Sequence, residues 1–151
     1  MYIITLNLIK FLIRIKFPKI SQITTTEFAE WLSDSTKPQP LILDARSQAE
    51  YTVSHIKTAV NIDPITPDFT KLLLGDKNTP IVVYCSVGYR SGKIAQQLRN
   101  QEFTQIFNLS GGIFQWANEG RPIYTDDKSP TKLVHPYDVM WGNLLKTNYR
   151  D

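Results

Sequence analysis

The sequence predicts an α/β domain whose largely parallel sheet is covered by helices on both faces. Three features carry that reading. The runs Leu41-Ile42-Leu43, Ile81-Val82-Val83-Tyr84 and Ile106-Phe107-Asn108-Leu109 are short and mostly apolar, as strands buried on both sides must be. Between them lie segments with helical i, i+3, i+4 spacing and recognisable helix-start signals. The 151 residues, 42% apolar and 21% charged, suffice for one ordinary globular core without crosslinks.

In chain order, Thr24-Thr25-Thr26-Glu27 forms a capping box with Thr24 as the cap, and Phe28, Trp31 and Leu32 follow on one helical face. That helix ends before the loop at 33–40. The strand at 41–43 leads to Ser47-Gln48-Ala49-Glu50, a second capping box that opens a short helix. Ala59-Val60-Asn61-Ile62 is a further strand, stopped by Asp63-Pro64. Residues 69–74 read as a helix with Gly75 just past its end. The strand at 81–84 is the best central strand and runs directly into Cys85. Ile94, Ala95 and Leu98 mark a helix reaching about Asn100. After the strand at 106–109, Gly111-Gly112 opens a helix through Asn118, with Gly120 and Pro122 as stop signals.

The formal net charge of +3 belongs to one end of the chain. Residues 1–19 hold Lys10, Arg14, Lys16 and Lys19 and no acid, whereas the other 132 residues carry 13 basic against 14 acidic side chains. A near-neutral domain of that kind argues against a general polyanion-binding surface, and no nucleic-acid partner is expected. The leader's longest charge-free run is nine residues, far short of the roughly 20 needed to span a membrane. Its charges lie within and after the apolar run, unlike a secretory signal, and their spread around a helical wheel fits a basic membrane anchor poorly. Ile13-Arg14-Ile15-Lys16-Phe17 alternates with period two, so an extra strand or ordered arm is expected there, with disorder or a membrane or partner contact as alternatives.

At the other end, Pro136 opens an expected helix in which Tyr137, Met140, Trp141, Leu144 and Leu145 form an apolar stripe. The stripe is expected to dock on the domain or on a second copy, which would make a homodimer. The single cysteine, Cys85, excludes an intrachain disulfide and fits a reducing, cytoplasmic compartment.

Cys85 leaves a buried strand and enters a helix through Ser86-Val87-Gly88-Tyr89-Arg90-Ser91-Gly92. The carboxyl ends of strands in an open α/β sheet are the usual ligand crevice. Gly88 permits a backbone bend that turns successive N–H groups toward the sulfur. The helix dipole and the permanent charge of Arg90 act in the same direction, favouring an anionic sulfur. The competing reading is a small buried hydrophobe, as free cysteines often are.

The chain from about Ile20 to Ile123 resembles the single-domain rhodanese-like sulfurtransferases. The likeness is carried by Leu41-Ile-Leu-Asp-Ala-Arg46 with Glu50-Tyr51, by His55-Ile56 followed by Ala59-Val60-Asn61-Ile62, by the loop from Cys85 to Ser91, and by Leu109-Ser-Gly-Gly-Ile-Phe-Gln-Trp116 with Gly120-Arg-Pro122. It implies a three-layer fold with a central, mostly parallel five-stranded sheet flanked by helices on both faces. It divides the chain into an N-terminal extension at 1–19, a domain at 20–124 and a C-terminal extension at 125–151.

The resemblance also implies that Cys85 is the nucleophile and carries sulfane sulfur as a persulfide, from thiosulfate or another persulfide to a thiophilic acceptor, in two half-reactions. The amides of Ser86, Val87, Gly88, Tyr89, Arg90 and Ser91 would hold the persulfide, and Arg90 would stabilise an anionic donor or leaving group. Partners would be small-molecule sulfur donors and acceptors, or a protein thiol or persulfide. No metal or organic cofactor is required. Ser86 departs from thiosulfate-using relatives that carry a cation there, and Ser54 and Thr58 stand where relatives often carry glycine. A cysteine-dependent phosphatase or arsenate reductase is disfavoured, since those relatives place five residues between cysteine and arginine and this chain has four. A noncatalytic rhodanese-like binding module is the rival from another class.

Asp44 and Arg46 are expected to play a structural role near the active-site loop. His55, with no second histidine or cysteine near it in sequence, is expected to satisfy a backbone hydrogen bond rather than bind a metal. Trp116 and Gly111-Gly112 read as packing and turn elements, and Tyr89, at the loop's exposed crest, either as a residue that shapes acceptor access or as a solvated tyrosine.

Overall fold

A computed structural model describes residues 2–151. Its elements follow in the order α1 (Tyr2–Lys16), β1 (Ser21–Ile23), α2 (Thr25–Ser33), β2 (Leu41–Asp44), α3 (Gln48–Val53), β3 (Val60–Asn61), α4 (Thr70–Leu73), β4 (Ile81–Tyr84), α5 (Tyr89–Asn100), β5 (Ile106–Leu109), α6 (Gly112–Asn118), β6 (Ile123–Tyr124), β7 (Pro130–Thr131) and α7 (Val139–Gly142). Five strands form one sheet in the order β1-β5-β4-β2-β3, with every neighbouring pair parallel. The fully buried β4 is therefore central, and its carboxyl end delivers Cys85 to the middle of the sheet's edge.

Both expected capping boxes form. Thr24 Oγ1 accepts from the Glu27 amide while the Glu27 carboxylate accepts from the Thr24 amide, each at 3.0 Å, and Ser47 and Glu50 repeat the exchange. Alternate strand residues feed two cores. Ile42, Val82 and Leu109 pack with Phe28, Phe114 and Trp116 on one face. Leu43, Val83 and Ile106 pack with Ile94, Ala95 and Leu98 on the other.

The two extensions differ from the sequence reading. Residues 13–17 are not a strand: residues 13–16 end the helix α1, in which Leu6 and Ile13 are buried, and buried Phe17 follows it. Those positions keep one helical face on the domain, and the charged Arg14 and Lys16 alternate with apolar residues only because they flank that face. The segment has no helix breaker until Pro18, which disfavours helical backbone at Phe17. The outer side of α1 leaves Leu8, Phe11, Leu12 and Ile15 exposed. Among the described residues no helix is long and apolar enough to cross a membrane.

The expected helix from Pro136 is shortened to α7. Tyr137 has left-handed backbone, φ 69°, so no helix can run through it from Pro136. The Asp138 side chain instead caps α7 by accepting from the Trp141 amide at 2.8 Å. Leu144 and Leu145 are buried against the domain, whereas Tyr137 and Met140 are exposed. Docking is fixed by Asn118, whose amide donates to the Leu144 carbonyl at 2.8 Å and accepts from the Lys146 N–H at 2.9 Å.

Candidate active site

β4 ends at Tyr84, and neighbouring backbone holds both the strand end and the loop that follows. The Ile113 and Phe114 amides in the first turn of α6 donate to the Cys85 and Ser86 carbonyls at 2.9 and 3.0 Å, and the Ala45 amide donates to the Tyr84 carbonyl at 2.8 Å. Gly88 then adopts φ 118°, a conformation closed to ordinary side chains, and α5 starts at Tyr89. This bend brings the Gly88 N–H to 3.1 Å from Cys85 Sγ. Of the backbone amides expected to face the sulfur, Gly88's is the one within hydrogen-bond distance. A side chain supplies a second polar contact: Ser91 Oγ lies 3.3 Å from Sγ.

Ser91 has one hydroxyl proton and two acceptors within reach, because its Oγ is also 2.6 Å from Asn108 Oδ1. The Asn108 amide nitrogen donates to the Gly88 carbonyl at 3.0 Å, which fixes the orientation of the amide and ties β5 to the loop. Asn108 is fully buried and was not anticipated from sequence, where it reads only as a polar residue in an otherwise apolar strand.

Arg90 is placed differently from expectation. Its guanidinium makes a two-pronged ion pair with Glu50, at 2.8 and 2.9 Å, and donates to Ser86 Oγ at 2.9 Å. The Glu50 side chain is 3% exposed. Burial alone would raise the Glu50 carboxyl, but hydrogen bonding and charge from Arg90, the Ser47 amide and the Arg46 charge outweigh it and hold the group down to about 2. Burial likewise opposes the charge of Arg90, and Glu50 together with the nearby Cys85 reverses that and raises it. The cation is thus largely neutralised by its own partner, and the Tyr137 ring lies 4.7 Å from it. Glu50 was read only as the N3 residue of a capping box and as part of the family pattern, so its second role was missed. Position N3 on α3 points one carboxylate oxygen back at the cap and leaves both oxygens available to Arg90.

Asp44 and Arg46 form a fully buried pair, with Arg46 Nε and Nη2 donating to Asp44 at 2.9 and 2.7 Å. Arg46 also donates to the Ser54 carbonyl at 2.6 Å, and the Tyr84 hydroxyl donates to Asp44 at 2.6 Å while accepting from the Ile56 amide. Burial, reinforced by the Asp44 charge, pushes the Tyr84 phenol well above its ordinary range. This network joins β2, β4 and the turn after α3 beneath the loop. His55 Nδ1 lies 3.0 Å from the Tyr51 carbonyl, as a histidine tied to backbone should. Thr58, where relatives often carry glycine, takes the left-handed backbone that glycine favours, φ 67°. Trp116 is buried and donates to the Pro122 carbonyl at 2.9 Å.

Cys85 itself is 1% exposed and borders a cleft of about 510 Å³. Ser86, Val87, Tyr89 and Arg90 form the cleft's domain side. Tyr89 is 46% exposed and packs on Phe17, with ring centroids 5.9 Å apart. The remaining walls come from the two extensions, which the sequence reading had left outside the site.

The order and parallel pairing of the five-stranded sheet agree with comparisons to known proteins. The chain belongs to the rhodanese-like domain family, whose model matches residues 24–119. A rhodanese-like domain protein from Staphylococcus aureus is 30% identical, with a TM-score of 0.57 over 67% of this chain and 95% of that one. A thiosulfate sulfurtransferase from Pseudomonas aeruginosa shares the fold at 22% identity, with a TM-score of 0.61 over 78% of this chain and 22% of that one. The tRNA uridine(34) hydroxylase of Sodalis glossinidius is 34% identical over 89 residues, or 56% of this chain. The chain spans about a quarter of the length of the curated relatives it matches.

Proposed function

We propose that this chain is a sulfurtransferase that carries sulfane sulfur on Cys85 as a persulfide. The observation that carries the reading is the surround of Sγ: a buried sulfur at the floor of a cleft, met by the Gly88 N–H at 3.1 Å and the Ser91 hydroxyl at 3.3 Å. The Gly88 N–H is positioned to stabilise negative charge on sulfur, and Ser91 can add to it only when its one proton turns from Asn108 Oδ1 toward Sγ. In the first half-reaction the Cys85 thiolate attacks the outer sulfur of the donor. The Sγ–S bond forms, the donor's S–S bond breaks, and the donor remainder leaves with the electron pair, as sulfite if the donor is thiosulfate. In the second, a thiophilic acceptor attacks the outer sulfur and Cys85 leaves as thiolate. Sulfur changes hands without an external oxidant or reductant, and no metal or organic cofactor enters either step.

The relatives named tRNA uridine(34) hydroxylase match over about a quarter of their length, which supports the domain and not their whole activity. Intact mass spectrometry after incubation with thiosulfate, and separately with inorganic polysulfide, tests the reading. Wild-type chain should gain the mass of one sulfur atom and lose it on cyanide treatment, and Cys85→Ser should gain nothing. An unmodified wild-type chain with both donors would count instead for the noncatalytic binding module.

A further inference from the structure

Resting on the sulfur-transfer reading, we infer that the acceptor thiol is an organic molecule with an extended apolar body, which the two extensions bind directly over Cys85. The outer walls of the cleft are built by Ile9, Leu12, Ile13 and Lys16 of α1 and by Tyr137 and Trp141 of the tail. Five of these six present carbon surface or an aromatic ring. Cys85 is 1% exposed, and the cleft it borders lies between these walls and the loop from Ser86 to Arg90. At about 510 Å³ the cleft is far larger than an inorganic acceptor needs and falls in the range of sites for small organic ligands.

Electrostatics on the floor point the same way. Arg90, the cation nearest the sulfur in sequence, is paired in two-pronged fashion with Glu50 and leaves little net charge for a small anion. Lys16 is exposed on α1 and makes no ion pair among the described residues. It can meet a polar or anionic end of the acceptor at the mouth while the apolar portion lies inside. The walls are held in place rather than draped: Ile13 and Phe17 are buried, and Trp141 packs against the core beside buried Leu144 and Leu145.

In the transfer step the acceptor's thiolate sulfur bonds to the outer sulfur of the Cys85 persulfide. The Sγ–S bond breaks toward Cys85, and the outer sulfur moves with its proton to give the organic persulfide and the Cys85 thiolate. Charge and atoms balance without a further reactant.

The test uses full-length chain loaded with inorganic polysulfide, freed of excess reagent, and discharged in single turnover by n-alkanethiols from ethanethiol to octanethiol, with cyanide as a small acceptor. The second-order constant, corrected for thiolate fraction, should rise about fourfold for each methylene that becomes buried. Leu12→Asn and Trp141→Ala should flatten that rise relative to the cyanide rate of the same variant. Leu12 is 53% exposed, so its substitution does not threaten folding. Constants that stay level or fall with chain length, while cyanide discharges the loaded chain, would overturn the apolar acceptor and leave sulfur transfer standing. A chain that accepts no sulfur from any donor would overturn both.

Discussion

Glu50 closes the N-terminus of α3, receives Arg90 and accepts from Ser86 at 3.2 Å, so one buried carboxylate joins the loop to the helix beside it. Glu50→Gln leaves the Arg90 charge half-buried with a neutral partner and should cost about 2 kcal/mol in urea unfolding. The wild-type pair also sets a pH dependence. The Glu50 carboxyl titrates near 4.5 when the chain is unfolded and at about 2 when folded, so its stabilisation is complete above pH 4.5, declines as pH falls below that value and is gone below about 2. Unfolding free energies measured from pH 6 to 2 should show that loss, worth up to about 3 kcal/mol, in wild type and not in Glu50→Gln. A Gln variant with the wild-type slope would mean that other carboxylates carry it. The cysteine, Gly88 and Arg90 were legible in the sequence because they are adjacent in one loop. Glu50 and Asn108 reach the same site from 40 and 17 residues away from their partners, and only the sheet order brings them there.

Helix α1 shows where local pattern misleads. Over five residues, Ile13 to Phe17 satisfy a strand's alternation, and only the longer spacing of Leu6, Ile13 and Phe17 reveals a helical face. The strand β1 was missed for the opposite reason: Ser21-Gln22-Ile23 buries a single side chain at the sheet's edge and carries no apolar run. The strands β2, β4 and β5, whose apolar runs fill both cores, were all legible. What fits α1 to the domain is the absence of a side chain at Gly92, since a Cβ there would stand 2.5 Å from Phe17 Cε2. Gly92→Ala should therefore displace Phe17 or α1 at a cost of about 1–3 kcal/mol. Faster hydrogen exchange across 5–16, with little change in β4, is the expected signature. Unchanged exchange there would show that Phe17 yields without moving the helix.

Across the whole molecule, the rhodanese-like domain supplies the sulfur and its hydrogen bonds, and the two extensions supply much of what surrounds the cleft. The tail is part of the folded unit: Leu145 is 1% exposed and packs in the same core as Phe114 and Trp116. Leu145→Ala should lower stability by about 2–5 kcal/mol in a single cooperative transition. A separate early transition would mean that the tail melts independently of the domain. The molecular claim above all others is that Cys85 holds sulfur between two separate half-reactions. Chain loaded with sulfur, stripped of all donor and then mixed with cyanide tests it most directly. One thiocyanate released per chain, with the mass returning to that of the unloaded protein, is the result the account predicts; thiocyanate formed only while donor is still present would contradict it.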